Sequence, residues 1–405
     1  MVNRPCATFR DPIHGFIHAD SLERALIDSR PVQRLRSIRQ LGFTSLVFPG
    51  AEHGRFSHVL GAMELAGRVY DALATRSPDL LDNQPNCQDR RLVRVAALLH
   101  DIGHPPFSHS AEGLFEEGLD HEDMTQRLLR STELDSIFQR WGEGVEPSQV
   151  ARLLKNPETA QERLLAQIVS SELDVDKMDY LLRDSLFCGV RYGNFDLARL
   201  LDTMLPLEDP ETGEWGLGVA EGGVHALEAL VMARYYMFTQ VYFNRVGKAL
   251  ELHFNEWLEE SSQRWPADPA AFLALDDIST QTAMRGSESQ HALAVVERRY
   301  FPMVFETREH LSPEEKSRFE EMVPRLRDEF GAAHILVSHA AKDPHRLGES
   351  RVLVQRFDGQ LEPMEEASHF VRHLGRIDRY RIYTPPQLVS EVTGSLRKSL
   401  EDSRA

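Results

Sequence analysis

The sequence predicts a mainly α protein, a helical core with a small C-terminal α+β appendage. Two observations predict it. From about residue 30 to about residue 300, apolar residues recur at spacings of three and four, the period of a helix with one buried face. After about Tyr300, short β-like runs appear with helical stretches between them, the pattern of an α+β unit. The expected division is a helical domain over residues 1–300 and a small α+β region over 301–405. With 405 residues, 41% of them hydrophobic, the chain has ample material for one large core.

The elements follow in order. Ala7 to Ile17 reads as a hairpin turning on Asp11-Pro12-Ile13-His14-Gly15. Pro31 opens a helix at its first position, with Val32, Leu35, Ile38 and Leu41 inward and Gly42 ending it; Gln33, Arg36 and Gln40 sit off that stripe. After a loop over residues 47–55, a helix runs from Phe56 to about Arg76 with His58 in its first turn. Residues 77–89 are polar and proline-bearing, hence a loop. Leu92, Val95, Ala96 and Leu99 then mark a helix that Gly103, Pro105 and Pro106 stop. Further helices are expected near residues 121–140, 147–155 and 157–169. Asp-Pro and several glycines between Leu205 and Gly223 predict a hairpin insert, and a long helix runs from about Val224 into the 250s. Beyond residue 300, strands are expected near residues 303–306, 334–338, 351–355 and 379–383, with helices near 313–330 and 386–400.

Composition excludes several classes. A net charge of −17 argues against strong non-specific binding to nucleic acid or to an anionic membrane. A polyanionic small substrate remains compatible if a few Arg and Lys are focused in one cleft. Cys6, Cys87 and Cys188 are scattered and form no CxxC pair, which reads as reduced thiols in a cytoplasmic protein. No run approaches the eighteen or so apolar residues of a membrane span, and the N-terminus has no apolar signal-like region.

The chemistry concentrates in His100-Asp101-Ile102-Gly103-His104-Pro105-Pro106-Phe107-Ser108-His109, at the end of an apolar helix. A buried helix ending in imidazoles and a carboxylate calls for a compensating cation, and mixed N/O donors suit Mn, Fe, Zn, Ni or Mg. His109 and Glu112 are three apart, close enough for the carboxylate to hold the imidazole on a helix. Four Asp between residues 174 and 184 alternate with apolar Leu173, Val175, Met178, Leu181 and Leu182. Acidic residues on a half-buried face are better candidates for ligands than for decoration.

The set His58, His100-Asp101 and Asp176 resembles the H…HD…D signature of HD-domain metal-dependent phosphohydrolases. Longer strings narrow the resemblance: Asp11-Pro-Ile-His-Gly, Gln33-Arg-Leu-Arg36, Gln40-Leu-Gly, Phe48-Pro-Gly-Ala, Arg55-Phe-Ser-His58, the stretch His100 to His109, and Asp174-Val-Asp-Lys-Met-Asp-Tyr180. Together they are similar to the dNTP triphosphohydrolase branch, over roughly residues 7–310. The resemblance implies a helical HD-domain core and a divalent metal (Mn, Fe, Mg, Zn, Ni or Co) ligated by His58, His100, Asp101 and Asp176. His104, His109 and His121 would face the triphosphate, with Glu112 and Glu122 as carboxylate partners. Arg55, Lys177, Tyr180 and Arg234 would contact phosphates, and Asp184 would accept from the sugar 3′-hydroxyl. Gln40 and Leu41 would pack at the sugar edge and Tyr242 near sugar and base; Phe243 stands where the animal enzyme has a Gln.

The expected reaction converts a dNTP and water to a deoxynucleoside and inorganic triphosphate. His109, its pKa raised by Glu112, is the candidate acid for the leaving 5′-oxygen, with His121 the alternative. Competing readings are an HD phosphohydrolase acting on a nucleoside monophosphate or cyclic dinucleotide, and a catalytically idle nucleotide-binding regulator. The resemblance further implies a homo-oligomer, a tetramer before other states. Asp28, Gln33 and Arg36 match three residues of a guanine-nucleotide effector site in the animal enzyme. Ala7 stands where that site has a Lys, and residues 220–223 offer no cation where a second activator's phosphates would need one.

Overall fold

The computed structural model describes residues 6–343 and 352–402; the side chains of His109, Ala111, Glu112 and residues 400–402 lie outside that description. One large apolar core runs through the helices, with Val59, Met63, Val69, Val95, Leu98, Leu99, Ile168 and Met178 fully enclosed. The helices that build the site are α1 (Arg55–Arg76), α2 (Gln88–Leu99), α3 (His121–Leu129), α4 (Pro147–Lys155), α5 (Ala160–Val169), α6 (Val175–Cys188), α7 (Val224–Met237), α8 (Arg245–Glu260) and α9 (Asp277–Arg285). The apolar stripes of α1 and α2 pack against each other. That contact brings the first turn of α1 to the last turn of α2, where the polar residues lie.

Among the described residues, nine strands form three sheets. β1 (Ala7–Asp11) and β2 (Gly15–Ala19) make the expected hairpin, with Asp11 opposite Gly15. β3 (Met204–Glu208) and β4 (Trp215–Ala220) form the expected insert. β7 (Leu353–Gln355) adds parallel to β4, and β8 (Leu361–Pro363) closes this four-stranded sheet. The third sheet holds β5 (Met303–Glu306), β9 (Ile377–Tyr383) and β6 (Leu336–Lys342) in that order. It packs with α10 (Pro313–Phe330) and α11 (Val389–Asp402) around a second core of Phe319, Leu326, Ile382 and Val392. The mainly α fold with small β elements is as the sequence predicts.

Three helix expectations need correction. The helix opened by Pro31 is only Arg30–Arg34, followed by a 3₁₀ turn over Leu35–Ser37. Arg39 then bridges Gly54, and Gln40 N donates to His53 O at 3.0 Å, so this backbone pairs with a distant loop instead of its own helix. Leu41 therefore leaves the inner stripe. The helix expected over 121–140 is two, because Ser131 caps a second helix, Thr132–Trp141, by accepting from Leu134 N. The long helix from Val224 breaks into α7, a π-turn over Phe238–Tyr242, and α8, which Asn244 caps through Val246 N. Such π insertions widen the helix and commonly occur at functional sites. This one turns Tyr242 and Phe243 toward a cleft.

Candidate metal centre and cleft

Four donor groups converge where α1, α2 and α6 meet. The imidazoles of His58 and His100 and the carboxylate of Asp101 offer atoms within 4.8 Å of one another. Asp176 Oδ1 joins them, 3.0 Å from His58 Nε2 and 3.5 Å from His100 Nε2. The hydrogen bonds on the far sides of the rings set their tautomers. His100 Nδ1 lies 2.8 Å from Ala97 O, a carbonyl that can only accept, so Nδ1 carries the proton. His58 Nδ1 faces Asp179 Oδ2 at 2.8 Å in the same way. Each Nε2 then turns a lone pair inward, and both are buried with no hydrogen-bond partner. Two inward nitrogens and two carboxylates fit a divalent cation, and an outer acceptor on each imidazole is the usual support of such a ligand. With the four groups alone, burial lowers the His58 pKa but Asp176 and Asp179 outweigh it and push the imidazole up to about 10. Burial raises Asp101, yet Arg55, His100 and His58 overcome it and hold the carboxyl below the usual range.

The support beneath His58 is a buried ionic cluster. Asp179 accepts from His14 Nε2 at 2.6 Å and from Arg183 Nε and Nη2 at 2.8 and 2.9 Å. Arg183 also donates to Asp11 Oδ2 at 2.8 Å. Asp11 Oδ1 accepts from the backbone of Ile13 and His14. The Asp-Pro-x-His-Gly turn is therefore a brace for the metal centre as well as a turn. Gly61 makes room for it, since a Cβ there would lie 1.9 Å from Asp179 Oδ1. From sequence, Asp11 and His14 stood out only as a turn and a matching string, Asp179 only as one of four candidate acidic ligands, and Arg183 not at all. The available signal was Asp179 itself, three residues after Asp176 and so on the same helix face.

From this centre a cleft of about 750 Å³ opens. It is lined by Gln40, Leu41, Arg55, His104, His121, Glu122, Lys177, Tyr180, Asp184, Arg234 and Tyr242, all expected, beside His100, Asp101 and Asp176. Arg55 turns onto the centre, donating to Asp101 Oδ2 at 2.6 Å and Ser108 Oγ at 2.8 Å. His104 Nδ1 is 3.2 Å from Asp101 Oδ1, and its ring lies 4.2 Å from that of His121. Lys177 Nζ donates to Ser171 O and Asp174 Oδ2. Arg234 is buried and donates to Glu172 at 2.9 Å, leaving its Nε without a hydrogen-bond partner. Asp184 is gripped from both sides, by His53 Nε2 at 2.7 Å and by Tyr242 OH at 2.8 Å. His53 stacks on Phe187 and was not singled out from sequence.

Not every expected residue meets here. His109 and Glu112 lie on the 3₁₀ segment Ser108–Leu114, but their side chains are outside the described residues. Asp28, Gln33 and Arg36, expected as a separate effector site, do not line this cleft. Asp28 pairs with Arg24, Gln33 donates to Ile27 O, and Arg36 donates to Gln33 while lying over the Phe56 ring.

Residues 55–184 match the model of the HD domain, and residues 195–403 match that of the HD-associated region. The chain belongs to the HD-domain family. A hypothetical protein from Aquifex aeolicus is 31% identical, with a TM-score of 0.82 over 96% of this chain and 99% of that one. An uncharacterized protein of Bacillus subtilis is 41% identical over 63% of this chain and 56% of its own length. The deoxynucleoside triphosphate triphosphohydrolase SAMHD1 homolog of Dictyostelium discoideum is 31% identical over 66% of this chain and 52% of its own. The chain spans about half the length of the curated relatives it matches. The HD segment holds His58, His100, Asp101 and Asp176, the donors that converge.

Proposed function

We propose that this HD-domain protein is a metal-dependent dNTP triphosphohydrolase, converting a dNTP and water to a deoxynucleoside and inorganic triphosphate. The observation that carries the reading is the set of cations that line the cleft. The sequence has six lysines, Lys155, Lys177, Lys248, Lys316, Lys342 and Lys398, in a chain of net charge −17. Lys155, Lys177, Lys248 and Lys342 all line this cleft, with Arg55 and Arg234. Asp101, Glu122, Glu172, Asp176, Asp184 and Glu251 line it too, so the reading rests on the number of cations spread along the cleft, six beside two nitrogens and two carboxylates suited to a metal, which is more than a monophosphate needs. The naming of the Dictyostelium relative for this activity supports the same reading.

When bound, a divalent cation supplies Lewis acidity to the reacting phosphoryl group. His58, His100, Asp101 and Asp176 would hold it. Lys177 and Arg234 neutralise the triphosphate, and Arg55 stands by at Asp101. Asp184, fixed by His53 and Tyr242, retains lone pairs for a sugar hydroxyl. Gln40 Oε1, buried with no hydrogen-bond partner, faces the same space. Breaking the bond from the α-phosphorus to the 5′-oxygen requires a proton on that oxygen, for which His109 and His121 are the candidates.

Anion-exchange analysis of products tests this. Each of the four dNTPs is incubated with Mn, Fe, Mg, Zn, Ni or Co. Deoxynucleoside and inorganic triphosphate are expected; pyrophosphate with monophosphate, or orthophosphate, would overturn the reading.

A further inference from the structure

A file of rings leaves the metal centre and ends at two lysines. His58 meets Tyr180 with ring centres 6.5 Å apart, Tyr180 meets Tyr242 at 6.2 Å, Tyr242 meets Phe238 at 5.1 Å, and Phe238 meets Phe243 at 5.4 Å. Lys342 Nζ, at the end of β6, lies 5.4 Å from the Phe238 ring centre. Lys248 Nζ, on α8, lies 5.8 Å from that of Phe243. Glu251 holds Lys248 through both carboxylate oxygens, at 2.9 and 3.0 Å. All five residues line the cleft. Ala340 of β6 and Ile377 of β9 pack with Phe243, which seats the C-terminal sheet against the aromatic end of the cleft.

We propose that Lys342 and Lys248, over Phe238 and Phe243, form a base subsite that favours keto-edged bases, guanine and thymine, over amino-edged adenine and cytosine. The proposal rests on the dNTP reading and deepens it. With the triphosphate at the metal end by Lys177 and Arg234, and the sugar at Asp184 and Tyr242, the base falls at the far end of the ring file. The half-buried rings of Phe238 and Tyr242 there accept any base by stacking, with buried Phe243 behind them. The lysines add the discrimination. An ammonium group has donors and no acceptor. Guanine O6 and thymine O4 accept hydrogen bonds at the position where adenine and cytosine carry an amino group that donates. An amino group facing Lys342 leaves donor against donor, whereas a carbonyl completes a charge-assisted bond. The C-terminal α+β region thereby supplies a specificity residue to a site otherwise built by the helical core.

Calorimetric titration of the full-length protein with each dNTP in EDTA tests the subsite apart from turnover. Dissociation constants for dGTP and dTTP should be at least about fivefold lower than for dATP and dCTP. Lys342→Gln should bring that ratio toward one, because an amide can both donate and accept; Lys248→Gln provides the same test should the first variant misfold by circular dichroism. Lys316→Gln, on α10 and away from the cleft, should leave the ratio unchanged. Equal affinities in the unaltered protein, a preference for amino-edged bases, a preference that survives both cleft variants, or no binding of any dNTP would each overturn the proposal. Keto-selective binding without hydrolysis under any of the metals would sink the triphosphohydrolase reading and leave the base subsite standing.

Discussion

Asp174, Asp176, Asp179 and Asp184 sit on one stretch and do four different things. Asp174 caps α6 by accepting from Lys177 N at 2.7 Å. Asp176 points to the paired imidazoles, Asp179 braces His58, and Asp184 faces the cleft. Their common chemistry made the stretch conspicuous in the sequence, and the resemblance singled out Asp176 for the metal and Asp184 for the sugar. What sequence could not give was what holds Asp179 and Asp184 in place, because Asp179 is held by His14 and Arg183, and Asp184 by His53 as well as Tyr242. Of the contacts of His14, Arg183 and His53, two span more than a hundred residues. Asp176→Ala separates ligation from structure. Its side chain is about one-third exposed and no helix cap depends on it, but it pairs with buried His58, so the metal-free variant should remain folded by circular dichroism with a lowered melting temperature. Bound metal should fall to background by elemental analysis, and dNTP hydrolysis with it. Full metal content in the folded variant would rule out Asp176 as a ligand.

At the scale of elements, the regular helices were legible and their interruptions were not. α1, α2 and α10 follow from apolar spacing over long runs. The break at Ser131 and the π-turn at Phe238–Tyr242 depend on one cap or one extra residue per turn, which periodicity averages away. A similar blind spot hid α9. The carboxylate of Asp277, in its first turn, accepts from Phe107 N at 2.8 Å and from Arg39 N at 2.9 Å, clamping the loop that follows His104. Phe107 and the next residue, Ser108, hold left-handed backbone, at φ 58° and 56°, a conformation that needs such restraint. Burial pushes Asp277 up to about 6, against the pull of those two amides and of Arg39 and Arg34. In the unfolded chain the group titrates near 3.9, so the folded protein binds this proton more tightly. Its stabilisation is full below about pH 3.9 and is lost as pH rises through about 6. Urea unfolding of the wild-type protein and of Asp277→Asn should therefore differ more at pH 5 than at pH 7, by about 1 kcal/mol in favour of the wild type. A difference that stays constant, or shrinks on acidification, would show that Asp277 does not titrate in this range.

For the whole molecule, charge placement decides which phosphates can be held. The cleft concentrates cations in a chain of net charge −17. The regions matching the animal enzyme's activator sites do not. Ala7 lies in β1 opposite Ala19, and of the expected trio Gln33 and Arg36 hydrogen-bond each other while Asp28 pairs with Arg24. Near residues 220–223 the fold does bring in two arginines that the sequence alone did not indicate. Both are engaged: Arg199 donates to Gly222 O and Asp202, and Arg356 lies against Glu221 and Glu362. Two paired arginines beside Glu221 are fewer than the six cations of the cleft, five of which are likewise paired with carboxylates, so a triphosphate is held less well here. We therefore propose a homo-oligomer, a tetramer by resemblance, whose basal hydrolysis needs no guanine-nucleotide activator. Rates on dATP, dCTP and dTTP should be measurable alone and should change less than about tenfold when GTP or dGTP is added, a coupling under roughly 1.4 kcal/mol. With dGTP, which is also a substrate candidate, competition is separated from activation by following each product individually. Inactivity on every single dNTP, with strong turnover once GTP is present, would mean that an activator site forms between subunits from residues whose charges are internally paired in the single chain.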